Sequence, residues 1–165
     1  MAMKVIILSK KKFKEFMTYN DVNDENVENK DMLIISINDF YNPDMLHNDK
    51  HGVNSHFRRQ HPNVLIEHFG DYPEDFIERN SKYSTTGFFT PFKAHKMYEF
   101  IKRNSDKNLA IVHCAAGISR SGAVGSFVYD MYGKEPYEQF FRRNKQIEPN
   151  THVSRLLHLE MYKDK

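Results

Sequence analysis

Short apolar runs alternate along the chain with longer stretches in which apolar residues recur every three or four positions. The short runs predict β-strands over residues 3–9, 32–37, 64–69 and 109–114. The helical spacing predicts helices over residues 10–19, 91–103, 121–132 and 135–145, and from 149 onwards. Because strands alternate with helices, the pattern predicts an α/β fold with a central, mostly parallel sheet flanked by helices on both faces. No repeat or linker divides the chain, so we expect one domain over residues 1–165.

Two connections between these elements are long. Residues 39–63 contain four histidines, His47, His51, His56 and His61. A zinc site is one hypothesis for them, but their spacing matches no compact ligand motif and no cysteine lies nearby, which favours a solvated loop. Residues 72–89 are predicted to be an insertion rich in aromatic residues, Tyr72, Phe76, Tyr83, Phe88 and Phe89. These rings either wall a pocket for a phenyl phosphate or pin the loop to the core.

The helix that begins at Glu135-Pro136 carries aromatic and basic residues. We expect its aromatic residues to face inward, namely Tyr137, Phe140 and Phe141. Its end is basic, with Arg142, Arg143 and Lys145. Such a group either complements the helix dipole or contacts nucleic acid; we favour the first interpretation and expect no nucleic-acid partner.

Composition adds limits rather than a function. The net charge of +2 argues neither for nor against a nucleic-acid partner. A single cysteine excludes an internal disulfide and fits a reducing compartment. Near the N-terminus only residues 5–8 are continuously apolar, which is too short for a signal-peptide core or a membrane span. We therefore expect a cytoplasmic protein with no membrane partner.

Residues 109–125 combine a strand, a loop of small residues and the start of a helix. In such a segment the loop amides and the positive end of the helix form a cradle for an anion. Cys114 stands at the lip of the cradle, where amides, the helix and a nearby guanidinium all favour the reactive thiolate. Arg120 can hold two phosphate oxygens through its planar fork, and the Ser121 hydroxyl can donate to a departing sulfur. These groups suit attack of sulfur on a phosphate ester.

The stretch from His113-Cys114 through five residues to Arg120-Ser121 resembles the signature loop of cysteine-dependent protein tyrosine phosphatases. Roughly the last 100 residues are similar to the small dual-specificity branch, in which Pro149-Asn150 before a final helix is a further shared feature, whereas residues 1–60 share little beyond two strands. The resemblance implies a phosphomonoester hydrolase that acts on phosphotyrosine or phosphoprotein substrates through a phosphocysteine intermediate. It makes Cys114 the nucleophile and Ser121 the residue that assists breakdown of the intermediate. It implies no metal or organic cofactor.

The same resemblance assigns phosphate binding to one continuous set of residues, Ala115, Ala116, Gly117, Ile118, Ser119 and Arg120. Phosphate, sulfate or vanadate is expected to bind in this loop. The family's general acid is an aspartate on a mobile loop upstream of the cysteine. Asp71 matches it, because it follows a strand end in the context Phe69-Gly70-Asp71, although the 72–89 insertion separates it from Cys114 by more than the family pattern. Asp75 is the competing candidate.

Several alternatives stay open. His113 is either a catalytic base or a structural residue that tunes the thiolate; we favour the second, because side chains alternate along a strand and His113 points away from Cys114. The runner-up functions are an RNA 5′-triphosphatase of the same superfamily and a non-catalytic phosphate-binding module. The module would be expected to lack the nucleophile or the arginine, and a rhodanese-like sulfur carrier would give Ser121 no role.

Overall fold

The computed structural model describes residues 3–39, 56–80 and 87–165. The strands of these residues are β1 (Lys4–Ser9), β2 (Met32–Asn38), β3 (Val64–His68) and β4 (Leu109–Cys114). They form one sheet in the order β1-β4-β2-β3, and every neighbouring pair is parallel. The predicted α/β fold with a parallel sheet is confirmed, and β4 lies inside the sheet between β1 and β2.

The described helices follow the predicted alternation. They are α1 (Lys10–Tyr19), α2 (Glu74–Asn80), α3 (Pro91–Arg103), α4 (Arg120–Tyr132), α5 (Tyr137–Arg143) and α6 (Thr151–Lys163), with a short 3-10 turn at Val27–Asn29. None of these helices has both the length and the apolar character that are needed to cross a bilayer.

The side chains of β4 alternate between two cores, one on each face of the sheet. Ala110, Val112 and Cys114 pack in the core that α3, α4 and α6 cover. Ile111 packs in the opposite core, which α1 covers through Phe13. Helices therefore lie on both faces, as predicted, and consecutive residues at the end of β4 point into different environments.

Side-chain caps mark where three helices begin. The Ser9 hydroxyl accepts a hydrogen bond from the Lys12 amide at the start of α1, at 3.2 Å. The Thr90 hydroxyl does the same for α3, whose first residue is Pro91. Asn150 caps α6 by accepting from an amide of its first turn. Each cap satisfies an amide that has no partner inside its helix, so these local signals fix the helix starts.

The insertion after β3 contains a helix, α2, that the sequence pattern did not predict. Every residue of α2 lies at least partly exposed, so there is no buried face to produce a helical repeat of apolar positions. The aromatic residues around it pack on one another, with the Tyr72 and Phe76 rings stacked 4.7 Å apart and Phe88 against Tyr72. Tyr83, the remaining aromatic residue of the insertion, lies outside the described residues.

The prediction for α5 was wrong in one respect. Of its three aromatic residues only Phe140 faces inward, where it stacks on Tyr129 at 4.4 Å. Tyr137 and Phe141 are 62% and 50% exposed. The reason is that α5 packs on the sheet edge at β1 rather than on a sheet face, so a narrow strip of the helix is covered.

Of the four histidines of residues 39–63, two can be placed. The His61 ring is buried between the carboxylates of Asp24 and Glu28, at 2.7 Å and 2.9 Å. The His56 ring contacts the carbonyl oxygen of Val22. Both histidines thus fasten the segment before β3 to the connection after α1. His47 and His51 lie outside the described residues.

Candidate active site

The candidate loop leaves β4 at Cys114 and enters α4 at Arg120. Its middle residue, Gly117, has a φ of +73°, a conformation that favours glycine. A Cβ atom at this position would lie 2.5 Å from the amide nitrogen of Ser9 and 2.6 Å from the carbonyl carbon of Leu8. The end of β1 therefore lies against the loop so closely that no side chain fits there.

The surrounding framework holds the carbonyl oxygens of the loop. The carbonyl oxygens of four loop residues accept hydrogen bonds at distances of 2.9–3.1 Å. The Lys10 amide donates to Ala115, the Gln146 side-chain Nε2 to Gly117, the Glu148 amide to Ile118 and the Asn150 amide to Ser119. These carbonyl groups are thereby engaged away from Cys114. The Gly117 amide, in contrast, donates to the Cys114 sulfur at 3.3 Å. The loop backbone thus turns a donor, the Gly117 N–H, toward the thiol, while its carbonyl oxygens bond to the surrounding framework.

Cys114 is 2% exposed, and its Sγ lies 3.0 Å from the Ser121 Oγ. Burial on its own raises the pKa of the thiol. Hydrogen bonds from the Ser121 hydroxyl and amide, the Gly117 amide and the charge of Arg120 act in the other direction, and the pKa of Cys114 lies below its ordinary value. The site thus stabilises a thiolate in a water-poor position.

The Arg120 guanidinium is fixed from behind. Its Nη1 donates to Oδ1 of Asp39 and to the carbonyl oxygen of Phe69, both at 2.8 Å. Its side chain is 7% exposed. Its Nε is buried and, within the described residues, has no hydrogen-bond partner. A buried donor on a cation calls for an acceptor, and an anion in the loop would supply one.

A cavity of about 370 Å³ opens over the loop. It is lined by Asp71, Cys114, Ala115, Ala116, Ile118, Ser119, Arg120 and Glu148. Asp71 Oδ1 accepts hydrogen bonds from the Ser119 hydroxyl and from Asn150 Nδ2, both at 2.8 Å. The structure therefore brings Asp71 to the same cavity as Cys114, Arg120 and the loop residues named from the sequence, except Gly117, which does not line it.

Asp75, the competing acid, lies elsewhere. It is in the first turn of α2, with an exposed side chain that contacts Arg79 one turn later at 3.3 Å. It does not line the cavity. This exposed pair has the geometry of an ordinary surface ion pair on a helix.

His113 occupies the opposite face of the sheet from the thiol. Its ring stacks on Phe13 at 4.1 Å, and its Nδ1 lies 3.3 Å from the carbonyl oxygen of Cys114. Since a carbonyl only accepts, Nδ1 carries the proton and Nε2 accepts from the Ser36 hydroxyl, at 2.6 Å. Burial lowers the pKa of His113 to about 4, so the ring is neutral at pH 7. This arrangement fits the structural interpretation and offers no path for a catalytic base.

Sequence reasoning missed Asp39 and Gln146 as parts of the site. Asp39 follows β2, which neighbours β4, and the carboxyl ends of parallel strands meet at one edge of the sheet. That rule is a signal that could have indicated Asp39. Gln146 lies in an irregular segment between α5 and α6 and carries no comparable signal. Asn150 was noted only as the residue before the last helix, not as a contact of Asp71.

Comparisons with known proteins do not assign the chain to a family. No family model matches the chain, and no curated protein matches it. Among solved structures it is similar to the crystal structure of Cydia Pomonella PTP-2 phosphatase, with 15% sequence identity and a TM-score of 0.45, over 93% of this chain and 83% of that one. A similarity of this size does not assign an activity, which has to come from the residues of the site.

Proposed function

We propose that this chain is a phosphomonoester hydrolase that acts on phosphoprotein substrates through a phosphocysteine intermediate. The observation that supports it most is the environment of Cys114. A thiol with a lowered pKa shares one cavity with an arginine whose buried Nε has no partner in the described residues. A nucleophile and an anion site in contact form the arrangement that phosphoryl transfer to sulfur requires.

In the first step the Cys114 thiolate attacks phosphorus, so that a sulfur–phosphorus bond forms while the ester bond to the leaving oxygen breaks. The loop amides and Arg120 hold the three non-bridging oxygens and stabilise their charge. Asp71 gives its proton to the leaving oxygen. Both hydrogen bonds to Asp71 use Oδ1, which leaves Oδ2 to carry this proton.

In the second step Asp71, now ionised, takes a proton from a water molecule that attacks the phosphocysteine. The sulfur–phosphorus bond breaks, inorganic phosphate forms and the sulfur leaves as a thiolate. Ser121 assists by donating its hydroxyl to the leaving sulfur, for which the 3.0 Å separation in the free protein is suitable. Asp39 contributes indirectly, because it orients Arg120 without lining the cavity.

The charge of the lining supports a phosphoprotein rather than a polyanion as substrate. Arg120 is the one cation among the described residues of the lining, and residues 115–119 contain no lysine or arginine. Two carboxylates, Asp71 and Glu148, lie in the same lining. An inositol polyphosphate or a 5′-triphosphate would bring further negative charge next to them, which raises the electrostatic cost of binding.

The RNA triphosphatase hypothesis loses part of its support. Arg143 forms a bidentate ion pair with Glu135, at 2.6 Å and 2.7 Å, and donates to the carbonyl oxygen of Val5. It is therefore a structural residue that fixes α5 to β1. Only Arg142 and Lys145 of the basic group remain available to an external anion.

The test is hydrolysis in the presence of a chelator, measured on phosphotyrosine and phosphoserine peptides, an inositol polyphosphate and an RNA 5′-triphosphate. We expect the phosphopeptide rate to exceed the other two classes. Cys114→Ser should abolish turnover but still bind phosphate, because the amides and Arg120 remain. Phosphate binding with no turnover by the wild-type chain would instead favour the non-catalytic module, and a dominant rate on the triphosphate would favour the RNA enzyme.

A further inference from the structure

A groove on α5 takes no part in the chemistry above. It is open to solvent, has a volume of about 380 Å³ and is lined by Tyr137, Glu138, Phe141, Arg142 and Lys145. The Tyr137 and Phe141 rings stack 6.1 Å apart at the surface, although each is at least half exposed. Adjacent exposed aromatic residues are uncommon on a surface that meets only water, and they mark many sites of protein binding.

The groove is also positively charged. In the part of the chain that the structure describes, neither the Arg142 nor the Lys145 side chain has a hydrogen-bond or ion-pair partner. Arg143, between them, is already neutralised by Glu135. The groove therefore offers two available cations beside two aromatic rings, with one carboxylate, Glu138, in the same lining.

The segment after α5 leads from this groove to the active-site cavity. Gln146, next to Lys145, donates to the carbonyl oxygen of Gly117 in the phosphate loop. Glu148 lines the cavity itself. Three residues of extended chain span at most about 10 Å, so a substrate segment of a few residues reaches from the cavity to the near end of the groove.

We propose that the α5 groove binds a segment of the phosphoprotein substrate that lies a few residues from the phosphorylated side chain and carries an apolar residue next to carboxylates. The inference rests on the proposed function, since it extends the same substrate beyond the cavity. The apolar side chain would pack on Tyr137 and Phe141, while the carboxylates pair with Arg142 and Lys145. A single-stranded nucleic acid, whose bases could stack on the same rings, is the alternative occupant that oligouridine binding tests.

The experiment uses synthetic phosphotyrosine peptides. In each peptide a Gly-Ser spacer of about two to eight residues joins the phosphotyrosine to a test motif, which is Leu-Asp-Glu or the uncharged comparison Ser-Asn-Gln. One series places the spacer and motif before the phosphotyrosine, and a second series places them after it. The readout is the ratio of kcat/KM for the two peptides at low ionic strength. We expect the wild-type ratio to be about tenfold in favour of Leu-Asp-Glu at the best spacer length.

Two variants test the two parts of the groove, Tyr137→Ser with Phe141→Ser and Arg142→Glu with Lys145→Glu. Each should bring the ratio to about one. One matched control is Tyr19→Ser, which removes a ring that is 90% exposed on α1. The other is Arg103→Glu with Lys107→Glu, at the end of α3 and just before the start of β4, whereas the candidate site follows the end of β4. Both controls should keep the wild-type ratio. The rate on para-nitrophenyl phosphate gives the active fraction of every preparation.

A ratio near one for the wild-type chain, or a ratio that the groove variants leave unchanged, would overturn the proposal. The proposal would also be overturned if the main effect of the groove variants were to abolish binding of oligouridine, or to dissociate a dimer seen by sedimentation. Fluorescence anisotropy with the unphosphorylated Leu-Asp-Glu peptide separates the two hypotheses. If the wild-type chain hydrolyses para-nitrophenyl phosphate but neither binds this peptide nor distinguishes the phosphopeptides, the groove proposal alone fails. If it binds the peptide without hydrolysing any phosphate ester, the proposed function fails.

Discussion

At the scale of single residues, the Cys114 thiol is subject to two opposing effects. Burial favours the neutral form, whereas the donors around the sulfur favour the thiolate. The Ser121 hydroxyl is the first of these donors and lies 3.0 Å away. The combined effect of these donors and of the Arg120 charge exceeds that of burial, so the pKa of Cys114 is lowered although the residue is almost fully buried.

A pH profile of alkylation tests this balance. Iodoacetate should modify Cys114 with a midpoint below that of a free cysteine, because the donors around the sulfur lower its pKa, and phosphate or vanadate should slow the reaction. Ser121→Ala should shift the midpoint upward, because the thiolate loses a donor. A wild-type rate that rises only near about pH 8.5, as for a free cysteine, would show that the thiol is not activated.

Substrates that differ in whether their leaving group needs a proton distinguish Asp71 from Asp75 as the general acid. Asp71→Asn should slow hydrolysis of aryl phosphates with poor leaving groups by about 10²–10⁴-fold, and much less for good leaving groups that depart unprotonated. Asp75→Asn, the matched control on exposed α2, should change both rates little. If the leaving-group dependence follows Asp75 instead, the acid is wrongly assigned and the catalytic loop begins later in the chain.

How far the sequence predicts a site residue depends on where its partners lie in the chain. Cys114, Arg120 and Ser121 belong to one segment, so their joint pattern was visible. Asp71 could be proposed because it follows a strand end. Asp39 also follows a strand end, but its role depends in addition on β2 pairing with β4, and strand order is set by tertiary packing.

At the scale of elements, His113 fastens three of them together. It belongs to β4, accepts from Ser36 of β2 and stacks on Phe13 of α1. Its pKa is lowered by burial to about 4, from 6.5 for an exposed histidine. Between these values the unfolded chain binds a proton that the folded chain does not, so stability falls as the pH falls through this window and does not fall further on this account below about pH 4.

The expected loss is up to about 3 kcal/mol in the free energy of unfolding between pH 7 and pH 4. His113→Gln cannot titrate, so its stability should depend less on pH in this range, as measured by urea denaturation. His95→Gln, at a histidine that is mostly exposed on α3, serves as control and should behave like wild type. Equal pH dependence in His113→Gln and wild type would mean that His113 is not the buried neutral group described here.

The two elements that the pattern described incorrectly share a physical cause. Helix α2 is held by contacts at its sides, such as Glu74 to Arg155 of α6 at 2.8 Å, and by the stacked Tyr72 and Phe76 rings. Helix α5 is covered on a narrow strip, where it meets the edge of β1 and where Phe140 stacks on Tyr129 of α4. Periodicity predicts a helix from its buried stripe, so it fails for a helix without one and assigns too broad a stripe to a helix at an edge.

At the scale of the whole molecule, the site is assembled from several separate parts of the chain. Asp39 follows β2, Asp71 follows β3, residues 115–119 follow β4, and residues 146–150 donate hydrogen bonds to the carbonyl oxygens of residues 117–119. The alternation of strands and helices predicted the α/β class and a loop at the carboxyl edge of a central strand. The order β1-β4-β2-β3 has no local signal, because it depends on which apolar faces pack best together.

The central claim is that phosphate is transferred to Cys114, and the most direct measurement is the site of that transfer. An aryl phosphate with a good leaving group is mixed with the wild-type chain, the reaction is quenched in acid, and the digested protein is analysed by mass spectrometry. The account predicts one phosphoryl group on Cys114, absent when Cys114→Ser is used or when vanadate is present. A phosphoryl group on His113 or on a serine, or full turnover in Cys114→Ser, would contradict it.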